Sequence, residues 1–204
     1  MAPKLKLIYV DAKALAEPLR FLFAYGNYQY EDYRITHEDF RSDKSRFPYN
    51  KIPNLEIDGK LVHQSMAMAR YFAKQVGLAG DSIEEELLID TAVDTLADYR
   101  HQLITYFYDT NEESRKRKKE QAFQIFLPFY LGRLEQQVKD NNGYLVNGKL
   151  TWADIVLAGV QDYVNYMAGY DLLKDYPALK ALEQKVLGIP SIKAWVAKRP
   201  DTEM

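Results

Sequence analysis

The spacing of apolar and polar positions changes once along this chain, from strand-like alternation to helical recurrence. Residues 4–10 alternate and then run together as Leu7-Ile8-Tyr9-Val10, the pattern of a strand entering a core. Over 14–25, Leu15, Leu19, Leu22 and Phe23 recur at helical intervals; Pro18 falls in the first turn, where its missing N–H costs little, and Gly26 marks the stop. Residues 30–35 alternate again, so the first unit reads βαβ, with parallel strands and a right-handed crossover. A polar connection, 36–50, leads to Pro53, which opens the short apolar run 54–57. Asp58-Gly59 is a two-residue hairpin signal, and 61–63 returns antiparallel. Met66, Ala69, Phe72, Ala73 and Val76 then trace a helix with Ser65 as its cap and Gly77 as its end.

Residues 78–82 read as a linker, beyond which the pattern is helical throughout. The stretch 84–109 has no Gly or Pro and carries Leu87, Leu88, Ala92, Thr95, Leu96, Tyr99 and Leu103, which predicts one long helix. A second, 115–140, contains Pro128, expected to kink it and free a carbonyl. Leu150-Thr151-Trp152-Ala153-Asp154-Ile155 carries a capping box (Thr151, Asp154) and a hydrophobic staple (Leu150, Ile155), opening a helix to residue 168. Two shorter helices, 178–187 and 191–197, follow Pro177 and Pro190. The expected architecture is an α/β N-terminal domain (βαβ-ββα, a mixed four-stranded sheet), residues 1–79, and an all-α C-terminal domain, residues 80–204.

Composition narrows the chemistry. With 47% apolar and 27% charged residues and a net charge of −2, the chain has the make-up of a soluble globular protein, with no general basic excess for nucleic acid or anionic membranes. The basic run 115–119 reads as a solvated helix start. Neither a signal peptide nor a membrane-spanning run is evident, so a cytoplasmic location is expected. The count of zero cysteines excludes a protein thiol as nucleophile, redox partner or metal ligand, so any sulfur chemistry must use a ligand's sulfur. His37, His63 and His101 show no metal spacing, and no metal is expected.

Two stretches carry candidate chemistry. Tyr9 is a phenol at a strand end, where ligands bind in open α/β sheets, and a neutral hydroxyl there can donate a hydrogen bond to a bound thiolate. Lowering a thiol pKa from ~8.5 to ~6.5 raises the ionised fraction at pH 7 from about 3% to about 75%. The other reading of Tyr9 is a core tyrosine. From Lys51 to Ser65, a bend at Ile52-Pro53, a hairpin and a helix start follow one another, an arrangement suited to an extended peptide-like ligand with a carboxylate at Gln64-Ser65. Lys44 and Lys51 are candidates for a second carboxylate, with solvated lysines as the alternative. Asp90, Asp94 and Asp98 form an acidic i, i+4, i+8 stripe, read as a solvated face or as facing an ammonium group or a divalent cation. Tyr99, Tyr106, Phe107, Tyr108, Tyr163 and Tyr166 are candidate cleft walls or core.

Taken together, Lys6-Leu7-Ile8-Tyr9, Lys51-Ile52-Pro53 through Asp58-Gly59, His63-Gln64-Ser65 with Ala69-Arg70-Tyr71, Val93-Asp94-Thr95-Leu96, Leu150-Thr151-Trp152-Ala153-Asp154 and the Ile189-Pro190 to Pro200 segment resemble the sigma class of cytosolic glutathione transferases, including the insect enzymes and the haematopoietic prostaglandin D synthase type. The resemblance spans nearly the whole chain. It implies a thioredoxin-like N-terminal domain, a helical C-terminal domain, a homodimer, and glutathione as co-substrate with no cofactor. By resemblance, Tyr9 stabilises the glutathione thiolate, the Ile52 backbone before a cis-Pro53 pairs with the tripeptide, Gln64 and Ser65 hold the γ-glutamyl carboxylate, and Phe40, Lys44 and Lys51 surround the glycyl end. The same resemblance implies that Asp98 reaches across the dimer to the γ-glutamyl ammonium, and Val10, Leu15, Tyr99, Tyr106 and Tyr163 are the candidates for the site that takes hydrophobic electrophiles.

Two positions depart from the family pattern. Phe40 stands where the family often has Trp, which removes an N–H donor, and Leu15 stands where some members, among them the prostaglandin synthase type, have Arg. Detoxifying conjugation, with lipid-peroxidation products among the electrophiles, is therefore expected ahead of prostaglandin isomerisation. A crystallin-like relative without activity and a ligand-storage protein are the non-enzymatic alternatives. The short 110–114 connection speaks against the crystallin-like reading, because such relatives carry an insertion there.

Overall fold

The computed structural model describes residues 3–204. Four strands, β1 (Leu5–Val10), β2 (Glu31–Ile35), β3 (Asn54–Ile57) and β4 (Lys60–His63), form one sheet in the order β2-β1-β3-β4. β2 runs parallel to β1, while β3 and β4 are antiparallel to their neighbours, with Leu7 opposite Leu55 at the centre. The hairpin turn places both Asp58 (φ 49°) and Gly59 (φ 82°) in the left-handed region, as a two-residue turn with the right-handed strand twist requires. Helices α1 (Glu17–Tyr25) and α3 (Ser65–Gln75) pack together beside the sheet, burying Phe23 against Phe72 at 4.8 Å between ring centroids.

The 36–50 connection is more ordered than its polarity suggests. It holds α2 (His37–Ser42), opened by a capping box in which the Asp39 N–H donates to Thr36 Oγ1 and the Thr36 N–H to Asp39 Oδ2. Residues 14–25 divide into a 3₁₀ turn, Ala14–Ala16, and α1 proper. The 78–82 segment is anchored: Leu78 and Ala79 are buried, and the Trp152 N–H donates to the Leu78 carbonyl at 2.9 Å.

The remainder is helical: α4 (Ile83–Phe107), α5 (Glu112–Gln121), α6 (Leu127–Asp140), α7 (Trp152–Ala168), α8 (Pro177–Leu187) and α9 (Pro190–Lys198). α5 begins three residues before the expected start because Asn111 caps it. Between α5 and α6 a π-turn, Ala122–Phe126, takes up the mismatch that Pro128 imposes. α7 is buried on nearly every face and is the core of this half. Its Asp154 accepts from the Thr151 and Leu145 N–H groups at 2.7 and 2.9 Å. α7 also joins the halves, since Gly159 lies against the backbone of Pro18 in α1. On α4, Leu87 and Leu88 are solvent-exposed together with Ile83, where the helical spacing placed them inside. No helix among the described residues is long and apolar enough to cross a membrane.

Candidate active site

A groove of about 250 Å³ opens where the sheet's loop ends meet α4. Its walls include Leu15, Lys51, Pro53, Gln64, Ser65 and Arg100. The bend that forms one wall is held by Asn54, which is fully buried and donates from Nδ2 to the Lys51 and Pro53 carbonyls at 3.0 and 2.9 Å. The Ile52–Pro53 bond is cis. Ahead of it, Tyr49 (φ 54°) and Asn50 (φ 56°) adopt left-handed conformations, and the Tyr49 ring meets His63 edge-on at 5.0 Å.

At the opposite wall, Gln64 is held at φ 74°, ψ 98°, a sparsely populated conformation for a residue with a side chain. Gln64 is the N-cap of α3 through its backbone, whereas the sequence placed the cap at Ser65; Ser65 is the first helical residue. No side chain caps this end, so the first N–H groups of an eleven-residue helix face the groove with their partial positive charge. A carboxylate fits that environment.

Tyr9 sits at the end of β1, buried, with its hydroxyl accepting from the Leu15 N–H at 3.4 Å. Burial pushes its pKa up to about 12, against the Leu15 hydrogen bond and the charges of Arg20 and Arg100. The phenol is neutral at physiological pH and its proton is available to donate. Tyr163, also buried, places its hydroxyl 3.0 Å from that of the exposed Tyr108. Tyr108, Tyr163 and Arg100 lie close enough to Tyr9 to bear on its ionisation.

Arg100 is absent from the site predicted by sequence, whereas Tyr108 stood there among the candidate cleft walls. Burial depresses the pKa of the Arg100 guanidinium, and its Nε has no hydrogen-bond partner among the described residues. A desolvated cation therefore lines the site from α4, although Leu15 carries no charge. Nothing in the 3.6-residue pattern distinguishes Arg100 from a surface arginine; only the crossing of α4 over the sheet's loop ends does.

The remaining candidates divide. Phe40 and Lys44 lie in the preceding segment, outside the groove's lining, with Lys44 Nζ 5.5 Å from the Phe40 ring and Phe40 packed on Phe47. Val10 is buried in the core. Tyr99 has no exposed surface, and Tyr106 is buried and donates its hydroxyl to the Met167 carbonyl, so both belong to the helical interior and not to a cleft wall. Asp98 is exposed on α4 and carries no ion pair among the described residues. Asp90 is paired with Arg70 at 2.9 Å, and no group of three or more metal-capable side chains occurs among the described residues.

Residues 5–74 match the glutathione S-transferase N-terminal domain and residues 97–199 the C-terminal domain. The chain belongs to the glutathione S-transferase family. It is 50% identical to glutathione S-transferase S1 of Drosophila melanogaster over 97% of this chain and 80% of that protein. It is 36% identical to hematopoietic prostaglandin D synthase of Homo sapiens over 99% of this chain and all of the other. Among solved structures, a prostaglandin synthase D of Nilaparvata lugens superposes with a TM-score of 0.94 at 40% identity, covering 98% of this chain and 100% of that one. The architecture is thus the glutathione transferase fold, a thioredoxin-like domain joined to a helical one, in a transferase with glutathione as co-substrate.

Proposed function

We propose that this chain is a sigma-class glutathione transferase that works as a cytoplasmic homodimer, with its domains divided between residues 79 and 80. Glutathione lies along the groove. Its γ-glutamyl carboxylate sits at Gln64 and Ser65, at the uncapped start of α3, its cysteinyl backbone against Ile52 and Pro53, and its glycyl carboxylate toward Lys51, with Lys44 and Phe40 beyond. Asp98 of each protomer meets the ammonium of the glutathione bound by its partner. The exposed Ile83, Leu87 and Leu88 on the same helix support a second copy covering α4.

The observation that carries the mechanism is the neutral, buried Tyr9 hydroxyl at the meeting of the two domains. It donates to the glutathione sulfur and favours the thiolate, while Arg100, which lines the groove where Tyr9 itself does not, adds a positive field from α4. The thiolate attacks the electrophile directly. With an α,β-unsaturated aldehyde, an S–C bond forms at the β-carbon and the α-carbon takes a proton from solvent; with an aryl halide, halide departs. No covalent enzyme intermediate is needed, because proximity and thiol ionisation supply the rate gain.

Arg100, Tyr108 and Tyr163 present polar groups beside the sulfur position, which suits a long apolar electrophile with a polar end, such as a lipid-peroxidation aldehyde, in a detoxifying role. Prostaglandin isomerisation is the second reading, supported by the likeness to the human and Nilaparvata lugens proteins. Turnover of 1-chloro-2,4-dinitrobenzene and 4-hydroxynonenal with glutathione, set beside isomerisation of a prostaglandin endoperoxide, tests both. Absence of all three activities defeats the proposal.

A further inference from the structure

We propose that Asn54 is a positioning residue for glutathione: it aligns the Ile52 backbone with the cysteinyl backbone of the tripeptide and so sets affinity without touching the ligand. The inference rests on the glutathione reading of the groove. Asn54 is fully buried and lies behind the groove's lining, which passes through Lys51, Ile52 and Pro53.

An asparagine is a poor choice here for the strand alone. It opens β3, an inner strand, opposite Ile8 of β1 and His63 of β4, a position that suits β-branched or aromatic side chains and disfavours Asn. Its Oδ1 is buried and accepts from no donor among the described residues. A buried acceptor left without a donor is costly, and an apolar side chain of the same size avoids that cost. What an apolar side chain does not supply is Nδ2, which donates to the carbonyls of both Lys51 and Pro53, at 3.0 and 2.9 Å. Among the described residues no backbone N–H donates to either carbonyl.

Planarity carries this grip to Ile52. The Lys51 carbonyl shares a peptide plane with the Ile52 N–H, so holding one orients the other. The Pro53 carbonyl belongs to the plane after the proline ring, and the ring fixes φ between that plane and the one carrying the Ile52 carbonyl. One side-chain amide therefore clamps both sides of the residue that faces the ligand. The clamp is needed because the preceding backbone does not favour this path: Tyr49 and Asn50 are both left-handed, which is unfavourable for residues with side chains. A groove that reads a peptide through one donor and one acceptor binds it best when both are fixed beforehand, since ordering them on binding subtracts from affinity.

The test uses the full chain. Calorimetry compares S-hexylglutathione with an analogue in which an ester replaces the γ-glutamyl–cysteinyl amide, removing the cysteinyl N–H. The parent should hold the amide ligand about tenfold more tightly than the ester, the scale of one hydrogen bond to a fixed acceptor. Asn54→Leu, which keeps the volume and removes the donors, should bind the amide about tenfold more weakly, and its preference over the ester should fall below about threefold, because both changes remove the same interaction. In conjugation of 1-chloro-2,4-dinitrobenzene its glutathione KM should rise about tenfold, with kcat at saturation within about twofold of the parent's. Asn54→Ser keeps one donor and should fall between the two. The proposal fails if the parent does not distinguish the two ligands, if Asn54→Leu binds S-hexylglutathione like the parent, if it loses the same factor for both ligands, as loosened packing would give, or if kcat falls with KM unmoved. Should Asn54→Leu not fold, a parent-like glutathione KM in Asn54→Ser overturns the proposal by itself. A parent that binds neither ligand overturns the glutathione reading, whereas a parent that binds and conjugates beside a parent-like variant overturns only the role of Asn54.

Discussion

The Leu15 amide donates to the Tyr9 hydroxyl at 3.4 Å, so one lone pair of the phenol is occupied by the backbone and its proton is left to point elsewhere. A phenol with its pKa pushed up to about 12 does not ionise between pH 5 and pH 10 and keeps its proton to donate throughout that range. Tyr9→Phe should therefore lower turnover by about 100-fold, the scale for losing one donor to a developing or resident anion. Glutathione affinity should stay nearly constant, because the groove walls remain. The acid limb of the pH–rate profile should move toward a free thiol's pKa of ~8.5. An unchanged profile would remove Tyr9 from the role.

Arg100→Met keeps the length and apolar stem of the side chain and removes its charge. Arg100 lines the groove and faces Tyr9 and Tyr163, so its loss should raise the pKa of the bound thiol and reduce conjugation of an electrophile with a polar end more than that of an aryl halide. An ultraviolet titration of bound glutathione reads the first effect, and the ratio of the two kcat/KM values reads the second. Equal losses for both electrophiles, with the thiol pKa unmoved, would reduce Arg100 to a packing role.

The strands and hairpin were legible because their signals are local: period-two alternation and Asp58-Gly59 act within a few residues. The Thr151–Asp154 box was legible for the same reason. The Thr36–Asp39 box carries a comparable signal, masked by the polarity of the segment around it. Arg100 and Asn54 were not legible, because their roles depend on which elements cross above them. Tyr99 and Tyr106 were misplaced for the converse reason: helical spacing tells that an aromatic ring is inside, and not whether the inside is core or cleft. Leu87 and Leu88 show the limit of reading burial from periodicity in a helix whose exposed face is itself apolar.

Gly159 in α7 is required by close approach. A Cβ there would lie 2.9 Å from both Cα and N of Pro18, and backbone cannot swing aside as a flexible side chain does. Gly159→Ala gains up to ~1 kcal/mol of helix propensity but meets overpacking of about 1–3 kcal/mol, so a net loss of stability is expected. Urea denaturation should show a lower midpoint. Because the contact joins the two domains, thermal unfolding should also become less cooperative. A midpoint equal to the parent's would show that α1 and α7 separate freely.

Asp154 links stability to pH. Burial raises its pKa from an ordinary aspartate's 3.8 to about 6, against the hydrogen bonds from Leu145 and Thr151 that favour the ionised form. Between those values the folded chain holds a proton that the unfolded chain has released, so ν_N exceeds ν_U and stability falls as pH rises. The contribution is complete below about pH 4 and is lost as pH passes through about 6, amounting to about 3 kcal/mol across the window. Asp154→Asn removes the titration and, with one oxygen acceptor in place of two, also loses part of the cap that receives the Thr151 and Leu145 N–H groups. The variant should be less stable than the parent throughout, with a flatter dependence of unfolding free energy on pH between 4 and 6. A parent and variant whose pH dependences run parallel in that window would assign the slope to other carboxylates.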